Sequence, residues 1–359
     1  SNDASADVLE ALAAFLDYSS VEHIPSLDTL VEHILHRIVL APWPNHEPEL
    51  DTEWIDDDSM PLPLRTRLGS LRVLTQWCCV QKKADLVPPV LKLLWILLGM
   101  GEVHRDQHIP LGVRSRLRLF AAQCVLKLAT CDAYASLILP RMGRLSYALQ
   151  DECFQVRMHL LHDLLLYLMR DELPTEFHAA IFLVAFDPED EPRVQVASYT
   201  RRLQVLPPIV RHERLERIIV RFLHLLAHHP DLNAESPQTL CSFARYLEFY
   251  LACVACETNI GVLARFSACV RTYIDLSLSE PSVENSRPLY AMAELAQFLI
   301  QRLADNHGWT IYPVDEEAPC PKDILRSTGT IARSVLDGEV WELLQQQPRR
   351  HRDKKTKVA

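Results

Sequence analysis

Glycine is scarce in this chain, at 9 of 359 residues. Phosphate-cradling loops, nucleophile elbows and tight hairpins depend on glycine for positive φ or close backbone approach. Neither a Gly-x-Ser-x-Gly elbow nor a Walker loop is present. Long apolar runs are missing too. The longest, Leu93 to Leu98, is far too short to cross a bilayer, so no membrane partner is expected. The ten cysteines form no evenly spaced framework, and several fall inside helical text. They read as reduced intracellular thiols. The chain opens on Ser1-Asn2 without a methionine. It therefore reads as a piece of a longer protein, and absent targeting signals exclude nothing.

Positive charge is nearly missing from the first 60 residues, which hold fourteen of the 47 Asp/Glu but one of the 37 Lys/Arg. The net charge of −10 is thus local and excludes no class of partner for the rest of the chain. Apolar content of 48% excludes a mostly disordered chain.

What is abundant is proline, at 23, punctuating helical periodicity. Leu9, Leu12, Ala13 and Leu16 mark one helix; Leu27, Leu30, Val31, Ile34, Leu35 and Ile38 mark a second, capped by Ser26. These form a helical pair over 1–40. Residues 41–63 interrupt it with five prolines and seven acidic groups between Glu47 and Asp58, which predicts a mobile acidic loop. Helices resume from Leu64. A phrase then recurs at Val113-Arg114, Val156-Arg157 and Val196-Ala197, at intervals of 43 and 40 residues. Its clearest copy places Asp151 five residues ahead of Val156. That period is the one expected of HEAT-type helix pairs, which bury their apolar faces only by stacking. The expected fold class is all-α: a HEAT-repeat α-solenoid over 64–312. Long helices are predicted at 237–256 (after a Ser236 cap), 260–278 and 288–305, with essentially no sheet. Residues 313–359 read as an irregular tail that packs back on the last repeats and ends in a basic segment, Arg349 to Lys357.

Catalytic and metal chemistry find little support. His159/His162 and His224/His228 each share a helical face, yet zinc needs further ligands and neither pair sits in a His-Glu-x-x-His helix. Cys253-Val254-Ala255-Cys256 has no second pair and no βαβ setting. Asp56-Asp57-Asp58 reads as solvated loop. No catalytic residue, metal or cofactor is therefore assigned, and an enzyme is not expected. Binding features stand out more. Arg214, Arg217 and Arg221 form a ladder beside the apolar stripe Leu215, Ile218, Ile219, Phe222 and Leu226. Guanidinium forks in such a row suit an acidic peptide or phosphates. Arg245, Tyr246 and Tyr250 crowd one region of the next helix, a composition found at interface hot spots, although helical spacing directs Phe249 to the core. The basic tail is a candidate for DNA contact.

The string Ile219-Val220-Arg221-Phe222-Leu223-His224-Leu225-Leu226-Ala227-His228-His229-Pro230-Asp231 closely resembles the C-terminal HEAT region of the cohesin regulators named for precocious dissociation of sisters, the Pds family, in its fungal form. Asp151 to Leu168 and Leu289 to Ala296 support the resemblance in the same order. It extends from about Arg114 to Leu325. The resemblance implies a non-catalytic, nuclear and chromosome-associated scaffold that binds the kleisin subunit of cohesin. It further implies cooperation, through the longer protein, with a Wapl-type releasing factor and a cohesin acetyltransferase, and control of cohesion and its release. No individual contact residue carries over, because the family has no short catalytic motif. A HEAT transport or adaptor scaffold and a direct DNA-binding solenoid are the alternatives from the residues alone.

Overall fold

Val156, Leu160, Leu161, Leu164 and Leu168 recur at helical spacing and all lie buried on one face of a helix, Phe154–Met169. Each buried leucine contributes about 1.5–3 kcal/mol relative to an exposed one, so such stripes dominate the packing. The structure, a computed structural model, describes residues 7–9, 11–14, 34, 38–43, 52–85, 87–103 and 109–346. Most of the helix expected at Leu27–Ile38, its Ser26 cap, the acidic stretch Glu47–Asp51 and the basic segment Arg349–Lys357 lie outside the described residues. The fold class is all-α and HEAT-like, in two units, Ser1–Arg214 and Leu215–Ala359. Among the described residues no helix is long and apolar enough to cross a membrane.

The first unit contains α1 Leu62–Gln81, α2 Val87–Met100, α3 Leu111–Ala129, α4 Asp132–Ile138, α5 Met142–Ser146 and α6 Phe154–Met169. A 3₁₀ run, Thr175–Phe186, then leads to α7 Asp190–Gln204 and α8 Pro208–Arg211. Two buried guanidinium groups join the layers, one of them from the Val156-Arg157 copy of the recurring phrase, whereas Arg114 of the first copy donates to the Met100 carbonyl at 3.1 Å. Val113, Val156 and Val196 are buried. Arg157 Nε donates to Asp187 Oδ2 at 2.9 Å and its Nη2 to Glu189 Oε2 at 2.6 Å. Its Nη1 donates to the carbonyls of Asp151 and Glu152 at 2.8 and 3.1 Å. One layer earlier, Arg118 grips Asp151 through Nε at 2.6 Å and Nη2 at 2.8 Å. The same device thus repeats: an Asp ahead of a helix takes a guanidinium from an earlier long helix. Asp151 belongs to both layers, by side chain and by carbonyl.

The described part of the acidic loop is docked rather than loose. Ile55 is buried, and Arg116 donates to its carbonyl at 2.6 Å while lying 3.9 Å over the Trp54 ring. Trp54 also stacks on His159, and Asp57 pairs with Arg116 at 2.7 Å. Gly112 permits this closeness, because a Cβ there would sit 2.7 Å from Ile55 Cγ1 and 2.8 Å from the Thr52 carbonyl.

The second unit comprises α9 Ile219–Ala227, α10 Pro237–Val254, α11 Ile260–Cys269, β1 Tyr273–Asp275, α12 Arg287–His307, β2 Leu325–Ser327 and α13 Gly338–Gln346. Ser236 caps α10 as its sequence predicts, accepting from Thr239 N at 3.3 Å. Helix α12 packs against α9, α10 and α11. It ends at Gly308, whose φ of +67° is the left-handed cap that glycine adopts freely.

Two expectations change here. The helix predicted over 260–278 stops at Cys269, because Tyr273-Ile274-Asp275 pairs antiparallel with Leu325-Arg326-Ser327. The β-branched and aromatic residues suit a strand once a partner edge is supplied. That partner comes from the segment read as an irregular tail. Ile324, Leu325, Val340 and Leu344 are all buried. The Glu294 carboxylate of α12 accepts from Ser334 Oγ at 2.9 Å and from the amides of Val335 and Leu336, both at 3.1 Å.

His178 carries the clearest pH signature. It is buried; its Nδ1 donates to the Thr175 carbonyl at 2.8 Å, and Tyr199 Oη donates to its Nε2 at 3.0 Å. Burial, aided by the nearby Arg214 charge, lowers its pKa to about 4. A histidine depressed in the fold titrates near 6.5 when unfolded. Its stabilisation is therefore complete above about pH 6.5 and is lost as pH falls toward about 4. Urea unfolding at pH 7 and pH 4.5 is expected to reveal about 3 kcal/mol or less of such loss, and His178→Gln to flatten that part of the profile.

Candidate partner-docking site

The residues expected at a partner surface divide sharply once placed. Arg214 belongs to the first unit, in a π turn at His212–Glu216, and donates to Asp171 at 2.7 Å. Asp171 is 69% exposed, so this pair is weak and exchangeable. In the second unit, Arg217 reaches Glu316 at 3.5 Å and is half-buried. Arg221 is buried and grips Asp323 with both Nη atoms, at 2.8 and 2.7 Å. For Arg217 and Arg221 the acidic partner is thus supplied by the chain's own residues 316–323. On α10, Arg245 is exposed. Tyr246 is buried against His229 and Phe243, with ring centroids 5.8 and 5.3 Å away. Tyr250 is fully buried, donates to the Leu215 carbonyl at 2.6 Å, and has a hydroxyl pKa well above normal because of that burial. Arg221, Tyr246 and Tyr250 therefore correct the expectation of a surface: their side chains are buried and hold the fold.

Sequence reasoning overlooked exposed apolar side chains in the first unit. Val205 and Ile209, after α7, are 84% and 81% exposed, and Met169 at the end of α6 is also exposed. Arg202 Nη1 lies 3.8 Å from Met169 Sδ, and Arg201 beside it is exposed, its Nε held by the Ala197 carbonyl at 3.0 Å. Apolar side chains open to solvent and flanked by guanidinium groups are what a docking surface requires. The only signal for it in the sequence was Val205 and Ile209 straddling Pro207-Pro208, at positions no helical stripe claims.

The other singled-out residues resolve as follows. Asp57 and Asp58 lie in a 3₁₀ turn, and Asp57 is the group paired with Arg116. Cys253 is buried in α10, while Cys256 lies beyond its end with Sγ 3.1 Å from Thr258 Oγ1. His224 and His228 converge on a third residue from β1: their Nε2 atoms lie 3.3 Å from Asp275 Oδ1 and 2.6 Å from Asp275 Oδ2. Burial alone would raise the Asp275 pKa, but hydrogen bonds from the two histidines outweigh it and hold the carboxyl well below the usual range. Burial lowers the pKa of His224.

The profile of the sister chromatid cohesion protein PDS5 family matches residues 1–326. The chain belongs to the PDS5 family. It is 24% identical over 320 residues to the fission yeast (Schizosaccharomyces pombe) sister chromatid cohesion protein pds5, covering 87% of this chain and 26% of that protein. To the budding yeast (Saccharomyces cerevisiae) PDS5 it is 21% identical over 376 residues, covering 93% of this chain and 29% of that one. The zebrafish (Danio rerio) PDS5 homolog A is 30% identical over 202 residues, covering 52% and 15%. The chain thus spans under a third of the length of these relatives.

Proposed function

We propose that this chain is a non-catalytic docking array of a cohesin regulator, binding a segment of the kleisin subunit and acting in sister-chromatid cohesion. Membership of the PDS5 family supports the cohesion role, since its relatives are named for it. The observation that carries the docking mode is the exposure of Met169, Val205 and Ile209, with Arg202 Nη1 3.8 Å from Met169 Sδ and Arg201 exposed beside it. A kleisin segment with apolar residues next to acidic ones would seat its apolar side chains there. Its carboxylates would meet the guanidinium groups. Arg214 would join by exchanging Asp171 for an external carboxylate, a swap that costs little because Asp171 is already hydrated. Arg217 and Arg245 are the corresponding candidates of the second unit. The same activity would place the chain on nuclear chromosomes with a Wapl-type releasing factor and a cohesin acetyltransferase.

The test is a titration of overlapping labelled kleisin segments with the whole chain. Saturable one-to-one binding by at least one segment is expected; no binding by any of them overturns the proposal. With apolar contacts beside a few guanidinium–carboxylate pairs, binding is expected to fall with salt less steeply than phosphate-dominated DNA binding.

A further inference from the structure

The unit Leu215–Ala359 contains a constellation that cohesin docking does not use. His224 and His228 stand one turn apart on α9, so their rings share a face, with centroids 4.5 Å apart. Both direct the same atom, Nε2, at the carboxylate of Asp275 on β1. The three potential ligand atoms all lie within 4.8 Å of one another. We propose that His224 Nε2, His228 Nε2 and the Asp275 carboxylate form a binding site for a zinc-class divalent cation that ties α9 to β1.

The donor set fits that ion. Two imidazoles and one carboxylate are the protein ligands of a large class of zinc sites that leave a fourth position open. Tetrahedral zinc with bonds of about 2.0–2.1 Å separates its ligand atoms by about 3.3 Å. The separation of His224 Nε2 from Asp275 Oδ1, 3.3 Å, already has this value. His228 Nε2 lies 2.6 Å from the other oxygen, Oδ2, so its ring must move for one carboxylate oxygen to stand at the tetrahedral edge from both imidazoles. His228 is the ligand able to give way, because its side chain is 30% exposed and lies at the end of α9. The same exposure provides the entry path.

The carboxylate is positioned before any ion arrives. Asp275 Oδ1 accepts from Ser277 N at 2.8 Å, and Asp275 N donates to the buried Ser286 Oγ at 3.0 Å. Tyr290 Oη fixes the strand by donating to the Tyr273 carbonyl at 2.7 Å. Ser277 Oγ, 3.1 Å from His224 Nε2, stands beside the open position, where it or water completes the shell. Outer partners of this kind orient ligands and raise metal affinity. Charge favours the ion as well: Asp275 carries the site's negative charge, and the nearby Arg221 is neutralised by Asp323.

Cobalt(II), added alone to the chelator-treated 359-residue chain, is the probe. The expected result is one saturable site with the visible absorption of tetrahedral cobalt, no thiolate-to-cobalt charge transfer in the near ultraviolet, and displacement by zinc. His228→Gln is expected to weaken binding by more than the roughly 10–100-fold that losing a ligand's own hydrogen-bond partner costs. X-ray absorption at the zinc edge of the wild-type chain needs no variant and is expected to show nitrogen and oxygen neighbours only. Absence of saturable binding, sulfur in the zinc shell, or unchanged cobalt affinity in His228→Gln would each overturn the site and leave a hydrogen-bonded brace.

Discussion

Replacing Arg157 with alanine is expected to destabilise the first unit by about 3–5 kcal/mol at pH 7. Asp187, its main partner, is 1% exposed. Removing the guanidinium would leave a buried carboxylate without its counter-charge, while the Asp151 and Glu152 carbonyls would lose their donor. Glu189, nearly half exposed, can turn to water and adds little. Because Asp187 can accept a proton once Arg157 is gone, the loss should shrink as pH falls toward 4. Urea unfolding at both pH values checks this. Arg214→Ala is the internal control, expected to change stability by about 1 kcal/mol or less, since its pair is exposed. Equal effects of the two substitutions would contradict the layered ion-pair account.

The second large effect is expected at Arg221. Alanine there should lower the stability of the second unit by about 2–3 kcal/mol, the contribution of a charge-assisted bidentate pair. The loss should be localised. Asp323 would be released, and the neighbouring Ile324–Ser327 segment, held by Leu276 N to the Ile324 carbonyl at 2.7 Å and by the β1–β2 pairing, would lose amide protection. Hydrogen exchange by mass spectrometry reads this directly. A partner contact at Arg221 would instead leave stability and protection unchanged, so the experiment separates the two roles.

These two arginines illustrate what the sequence could and could not reveal. The repeat to which Arg157 belongs was legible because the buried valine of its phrase recurs at Val113, Val156 and Val196. Helices α10 and α12 were legible from their cap, their prolines and their apolar period. Arg221 was misread as a surface group because its partner lies 102 residues away in a segment without periodicity. Tyr246 and Tyr250 were misread for a related reason: helical spacing assigns residues to faces but does not say which faces are covered. The early end of α11 depends on a strand partner from residues 325–327, which no local window contains. Asp275 likewise joins His224 and His228 only through that strand. Even the docking edge is a negative signal in sequence, visible as apolar residues that no stripe absorbs.

The account stands most directly on the affinity of a labelled kleisin segment for the wild-type chain and for a Val205→Asp, Ile209→Asp double variant. Both positions are almost fully exposed, so the substitutions should leave the fold intact. The account predicts saturable binding to the wild type, weakened about tenfold or more by the two carboxylates. Failure of every segment to bind, or an affinity that the double variant leaves unchanged, would contradict it.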